Sequence, residues 1–136
     1  MSRLYLDANV VIDLIEEEPA RRNRALRTLA ANAGPDAEYV VSDLVRLECQ
    51  VKPIAADDQV LLDAYERYFG LPTVTVVGLP APVYDRAARI RARFRYGLAD
   101  SLHLAAAVEA GCATFVTGDR RLAGFPDITV ALVGAP

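Results

Sequence analysis

The sequence predicts an α/β protein, a three-layer α/β/α sandwich built on a short, parallel, five-stranded sheet. Five short segments rich in β-branched or aromatic residues occur at Arg3–Leu6, Glu38–Val41, Thr73–Val77, Ala113–Thr117 and Thr129–Val133. Runs of this kind are typical of buried strands. Segments of helical periodicity separate them, and strands alternating with helices imply a parallel sheet covered on both faces. The 136-residue length and 53% hydrophobic content suit one domain, residues 1–136. A chain of that size buries about two-thirds of the surface it exposes when unfolded.

Each helix has its own signals. Val10, Val11, Leu14 and Ile15 recur at helical spacing and give a short first helix. Pro19 suits the first turn of a second, which turns Ala25, Leu26 and Leu29 inward and Arg21, Arg22, Arg24 and Arg27 outward. Ser42 is the expected N-cap of a third helix running through Val51 and broken at Lys52-Pro53. Asp57–Phe69, Ala81–Arg95 and Leu98–Ala110 complete the set, the last closed by Gly111. In open parallel sheets the functional crevice lies beyond the carboxyl ends of the strands, which makes the residues just after each strand the first candidates.

Composition excludes several chemistries. Cys49 and Cys112 stand alone, too few and too isolated for a zinc site of the finger type. Two isolated cysteines in a compact chain also suit a reducing compartment. Neither G-x-x-x-x-G-K-[ST] nor G-x-G-x-x-G occurs, so the usual nucleotide cradles are missing. Asp7 interrupts any signal-peptide core and no apolar run approaches ~18 residues, so the expectation is a cytoplasmic protein with no membrane contact. The bases are fourteen Arg and a single Lys, there is one His, and the net charge is −3.

The acids are placed more informatively than they are counted. Asp7 follows Leu4-Tyr5-Leu6, and Asp119 follows Ala113–Thr117 and Gly118, so both stand at the carboxyl end of an expected strand. Glu48 is four residues from Leu44 and three from Val45 and Val51, which puts it on an apolar helical stripe. Asp100 opens Ser101–Ala110, a helix apolar almost all round and therefore expected to be buried. Buried carboxylates are rare unless paired or metal-bound. Four of them together would repel one another unless a cation collected them, and Mg²⁺ or Mn²⁺ suits all-oxygen ligands. Singly, each has an ordinary explanation: a turn residue for Asp7 or Asp119, a helix-dipole charge for Asp100, a partner such as Arg46 or Arg89 for Glu48.

These residues carry a resemblance. Leu6-Asp7-Ala8-Asn9-Val10 and Ser42-Asp43-Leu44-Val45-Arg46-Leu47-Glu48 resemble the first half of a PIN domain. Leu98-Ala99-Asp100-Ser101-Leu102-His103-Leu104-Ala105-Ala106-Ala107 and Phe115-Val116-Thr117-Gly118-Asp119 resemble its second half. Each block is weakly specific; the four, in the family's order over nearly the whole chain, are strongly so. The length and the short ending after the last strand resemble the VapC-type toxins of bacterial toxin–antitoxin pairs.

The resemblance implies a metal-dependent endoribonuclease whose catalytic and metal-binding quartet is Asp7, Glu48, Asp100 and Asp119, none substituted here. Asp7, Glu48 and Asp100 are the expected ligands, directly or through water, with Asp119 orienting water or serving a second ion. Asn9 and Thr117 match supporting polar positions, although Asn9 equally suits a helix cap and Thr117 a plain strand residue. The resemblance further implies a small antitoxin partner, a homodimer, and a heterotetramer or larger assembly with the antitoxin.

An acidic protein that cuts a polyanion needs local positive charge. Arg86, Arg89 and Arg93 share one face of the helix leading to Asp100 and are candidates for RNA phosphates, a solvated face being the plain alternative. Phe94 and Tyr96 suit core packing better than base stacking, His103 suits a hydrogen-bonded core position better than a ligand, and both cysteines read as core fillers. Two other acid-at-strand-end classes fit poorly. A phosphoacceptor receiver domain needs a Lys after its last strand, where the only Lys is Lys52; a haloacid-dehalogenase-type phosphatase wants a second Asp at position 9, where Asn stands. A PIN fold that binds RNA or protein without cleaving, and a stand-alone RNA-processing nuclease, remain as alternatives.

Overall fold

A computed structural model describes residues 2–16 and 18–134. Five strands, β1 (Arg3–Leu6), β2 (Glu38–Ser42), β3 (Val74–Val77), β4 (Thr114–Thr117) and β5 (Thr129–Leu132), form one sheet in the order β3-β2-β1-β4-β5. Every neighbouring pair is parallel. Six helices connect them: α1 (Ala8–Ile15), α2 (Pro19–Asn32), α3 (Asp43–Ala55), α4 (Gln59–Phe69), α5 (Ala81–Phe94) and α6 (Leu98–Glu109), with a single 3-10 turn at Arg120–Leu122. The expected three-layer α/β/α architecture is the one observed.

Topology decides where the crevice opens. From β1 the chain steps outward to β2 and β3, then returns past β1 to β4 and β5 on its other side. Right-handed crossovers in opposite directions place α1–α4 on one face and the closely packed pair α5 and α6 on the other. The strand order reverses between β1 and β4, and beyond their carboxyl ends a parallel sheet leaves room for a ligand. The backbone N–H of Asp7 still donates to the Val116 carbonyl at 3.0 Å, extending the β1–β4 ladder into the crevice itself.

The core is continuous across the sheet. Tyr5 lies opposite Val40 on one side and Phe115 on the other, all fully buried. Residues Ser101 to Ala107 of α6 are buried without interruption, as the all-round apolar pattern predicted. Both cysteines are free and buried; burial pushes the Cys49 thiol up to about 12 and that of Cys112 up to about 11, consistent with core filling. Phe94 and Tyr96 stack on each other with centroids 5.6 Å apart and meet Phe125 edge-on, so they too are packing residues.

Three expectations are corrected. Pro53 does not break the third helix but lies inside α3, which runs on to Ala55. The missing N–H costs one late helical bond, and the buried ring compensates by joining the stripe Val45, Cys49, Pro53 at four-residue intervals. Glu48 therefore lies at the edge of that stripe rather than within it, half-buried, and Val51 is 58% exposed. Leu26 also faces outward, because Ala25 and Leu29 take the inward face of α2 and the residue after Ala25 is rotated about 100° from it.

Candidate active site

Asp7 is the hub. Placed directly after the central strand, it caps α1, accepting from the Ala8 N–H at 2.8 Å through Oδ1. Its Oδ2 accepts from the Thr117 hydroxyl at 2.8 Å and from the Asn9 amide at 3.3 Å. Asn9 is thus a first-turn residue of α1 and not its cap. It reaches across to β4, where its Oδ1 accepts from the Gly118 N–H at 3.0 Å. The Thr117 hydroxyl oxygen in turn accepts from the Asp119 N–H at 3.0 Å. Asp7, Asn9, Thr117 and the backbone of Asp119 form one network, stitching the end of β1 to the end of β4 and fixing the Asp7 rotamer.

Glu48 and Asp100 approach from opposite helical layers. Glu48 projects from α3, and its Oε1 is hydrogen-bonded to Nε2 of His103, a residue of α6 that is 1% exposed. The same nitrogen is 3.7 Å from Oδ1 of Asp7. Asp100, in the first turn of α6, shares the guanidinium of Arg121 with Asp119: Arg121 Nη2 is 3.4 Å from Asp100 Oδ2, and its Nε is 3.0 Å from Asp119 Oδ1. Neither Arg46 nor Arg89 takes Glu48; Arg46 pairs with Asp43 at 3.0 Å on the surface.

The electrostatics match this crowding. Burial pushes the Asp100 carboxyl above its ordinary 3.8, and the charges of Asp7 and Asp119 push it further, against the pull of Arg121 and His103. Asp119 moves the other way, held down chiefly by its hydrogen bond from Arg121 despite partial burial. Like charges are therefore converging, and the guanidinium shared by Asp100 and Asp119 comes from an exposed arginine.

The donor set suits a hard divalent ion, being carboxylates with polar side chains behind them. As the side chains lie, no three His, Cys, Asp or Glu groups among the described residues already enclose an ion position. Oε1 of Glu48 is taken by His103, which leaves its other oxygen to face an incoming ion, whereas at Asp119 an ion would compete with Arg121.

The sequence alone missed Tyr5, Ser42 and Arg121. Tyr5 OH lies 2.8 Å from both Ser42 Oγ and His103 Nδ1. Its signal was a hydroxyl in an otherwise apolar buried strand two residues before Asp7. That of Arg121 was a base two residues after Asp119.

The family model of the PIN domain matches residues 4–128. The chain belongs to the PIN domain family. Its fold is similar to that in a crystal structure of VapBC2 from Rickettsia felis bound to a promoter DNA fragment, with TM-score 0.75 and 16% identity over 96% of this chain and 98% of that one. It is also similar to FitAcB from Neisseria gonorrhoeae, with TM-score 0.72 and 19% identity over 94% and 96% of the two chains. VapC20 of Mycobacterium tuberculosis, described as a toxin that cleaves the sarcin–ricin loop, gives TM-score 0.68 and 20% identity over 93% and 98%. Among curated proteins none matches the sequence significantly.

Proposed function

We propose that this chain is a Mg²⁺- or Mn²⁺-dependent endoribonuclease, the toxin of a type II toxin–antitoxin pair. The observation that carries the proposal is the convergence of Asp7, Glu48, Asp100 and Asp119 at the reversal of a PIN-domain sheet, with Asn9 and Thr117 behind them. Asp7, Glu48 and Asp100 would hold the ion, with Asp119 orienting water or serving a second ion. When bound, the ion supplies an activated water and offsets the charge that grows at the phosphorus.

The residues prepare this before any ion arrives. Thr117 and Asn9 hold Asp7 in one rotamer, so the central carboxylate spends no entropy on binding. Asp100 stands in the first turn of α6, directly before its buried stretch Ser101–Ala107, with its side chain partly buried. Toxin–antitoxin complexes among the structural neighbours support a small antitoxin partner. Exposed Leu47, Val51 and Ile54 on α3 are an apolar surface it would cover. Homodimerisation, and a heterotetramer or larger assembly with the antitoxin, belong to the same proposal, as does cytoplasmic action. No described helix is long and apolar enough to cross a membrane.

The purified chain, freed of partner, is expected to cleave RNA in Mg²⁺ or Mn²⁺ and to stop when EDTA is added. Cleavage that continues in EDTA would overturn the metal-dependent reading.

For the substrate, Arg86, Arg89 and Arg93 line one depression on α5 together with Ile90, Phe94 and Asp127. Arg86 is engaged with Glu109 at 2.7 Å, which leaves Arg89 and Arg93 as the exposed guanidinium groups of that face. The double change Arg89→Ala, Arg93→Ala should weaken RNA binding and reduce the slope of log K against log salt by about 1 to 2. A slope unchanged from the native chain would return this face to plain solvation.

A further inference from the structure

We infer that His103 is a positioning residue for Glu48, holding its carboxylate beside Asp7 through a chain of hydrogen bonds that begins in the sheet at Ser42 and Tyr5. The role presupposes the divalent-ion reading of the quartet and says how one of its members is kept in place.

The geometry is unusual for a core histidine. Positions 101 to 107 of α6 are buried on every side, and an apolar residue at 103 would pack there without needing partners. The imidazole instead has a partner at each end. Nδ1 lies 2.8 Å from the hydroxyl of Tyr5, which lies 2.8 Å from Oγ of Ser42. Ser42 Oγ also accepts the N–H of Val45 as the N-cap of α3. At the other end Nε2 emerges beyond the sheet edge, bonded to Oε1 of Glu48 and 3.7 Å from Oδ1 of Asp7. A histidine that served packing alone would be satisfied by Tyr5 and would have no reason to aim its second nitrogen between two carboxylates.

Hydrogen counting fixes the direction of the chain. For a neutral imidazole one arrangement pairs every group: Ser42 donates to Tyr5, Tyr5 donates to Nδ1, and Nε2–H donates to Glu48. The opposite tautomer would point a bare nitrogen lone pair at a carboxylate. Ser42 is the last residue of β2 and Tyr5 is in β1, so the sheet sets the imidazole and the imidazole sets Glu48. Glu48 is the least constrained acid of the quartet by its own helix: its side chain is 35% exposed, and it lies at the edge of the buried stripe of α3. A long, flexible carboxylate gains most from an external hold, because its rotamer entropy is then lost on folding rather than on ion binding.

The test is Mn²⁺ affinity by titration calorimetry on the purified full chain, with melting temperature measured alongside. His103→Leu is expected to weaken Mn²⁺ binding about 10- to 100-fold. His103→Gln, whose amide N–H reaches towards the same carboxylate, should stay within about threefold, and Tyr5→Phe should fall between, at about three- to tenfold. Nitrogen-15 spectra of the metal-free chain should place the imidazole hydrogen on Nε2. Native affinity in both His103→Leu and Tyr5→Phe, or a hydrogen found on Nδ1, would overturn the positioning role while leaving the metal site standing. Tyr5→Phe removes one hydroxyl and keeps the ring packing, so it decides the matter if His103→Leu does not fold. A native chain that binds no Mn²⁺ would overturn the metal reading and this role with it.

Discussion

Replacing Asp7 by Asn should lower RNA cleavage roughly a thousandfold, about 4 kcal/mol of transition-state stabilisation, while the protein stays folded. The two halves of that expectation come from two jobs of one side chain. As the N-cap of α1 it accepts from the Ala8 N–H, and Asn caps a helix as well as Asp does. On the proposed reading it is also the carboxylate that would offer charge to a cation, and Asn would offer none. The Thr117 hydroxyl must also find a new partner, which costs about 1 kcal/mol of stability. Asp7→Ala separates the jobs, because it loses the cap together with the charge and should melt lower than Asp7→Asn. Single-turnover cleavage of RNA at saturating Mn²⁺, read beside thermal melting, checks both. Undiminished cleavage by Asp7→Asn would remove the quartet as the reacting site.

The second large effect is on stability. Phe115 is fully buried in β4 and stacks on Tyr5, with ring centroids 5.4 Å apart and planes 7° from parallel. Phe115→Ala should cost about 3–5 kcal/mol, since the sheet has helices on both faces and little freedom to collapse into the cavity. At roughly 3 °C per kcal/mol for a chain of this size, the melting temperature falls by about 10–15 °C. Phe115→Leu keeps most of the volume and should cost about 1–2 kcal/mol. Denaturant titration of the three proteins measures the difference. A loss under about 1 kcal/mol for Phe115→Ala would mean the site relaxes far more than core packing allows. Because Tyr5 carries the hydrogen bond to His103, the Ala variant should also weaken Mn²⁺ binding in the protein that remains folded.

Much of the fold was legible in the sequence, for reasons specific to parallel sheets. Strands buried on both faces are short apolar runs, and their ends are marked by the first polar residue, so Asp7 and Asp119 mark the carboxyl edge of the sheet in the sequence alone. Asp100 was legible because α6 is apolar almost all round, which makes a lone acid in its first turn conspicuous. The third helix was less legible: Pro53 read as a breaker, yet its ring completes a buried stripe at four-residue spacing with Val45 and Cys49. Propensity is local, and burial of the ring is not.

The acids, their order along the chain and the family they mark were determined by the sequence itself. How those acids are held is set by the packing of the layers against one another. Local pattern records which residues end a strand or ride a helix face. It does not record that Tyr5 and His103, 98 positions apart, share a hydrogen bond, or that Arg121 spans Asp119 and Asp100. Such contacts arise because the strand order reverses at β1 and β4, drawing α3 and α6 from opposite faces to one edge. Their partners are set by where the layers meet, and no periodicity within a single segment encodes that.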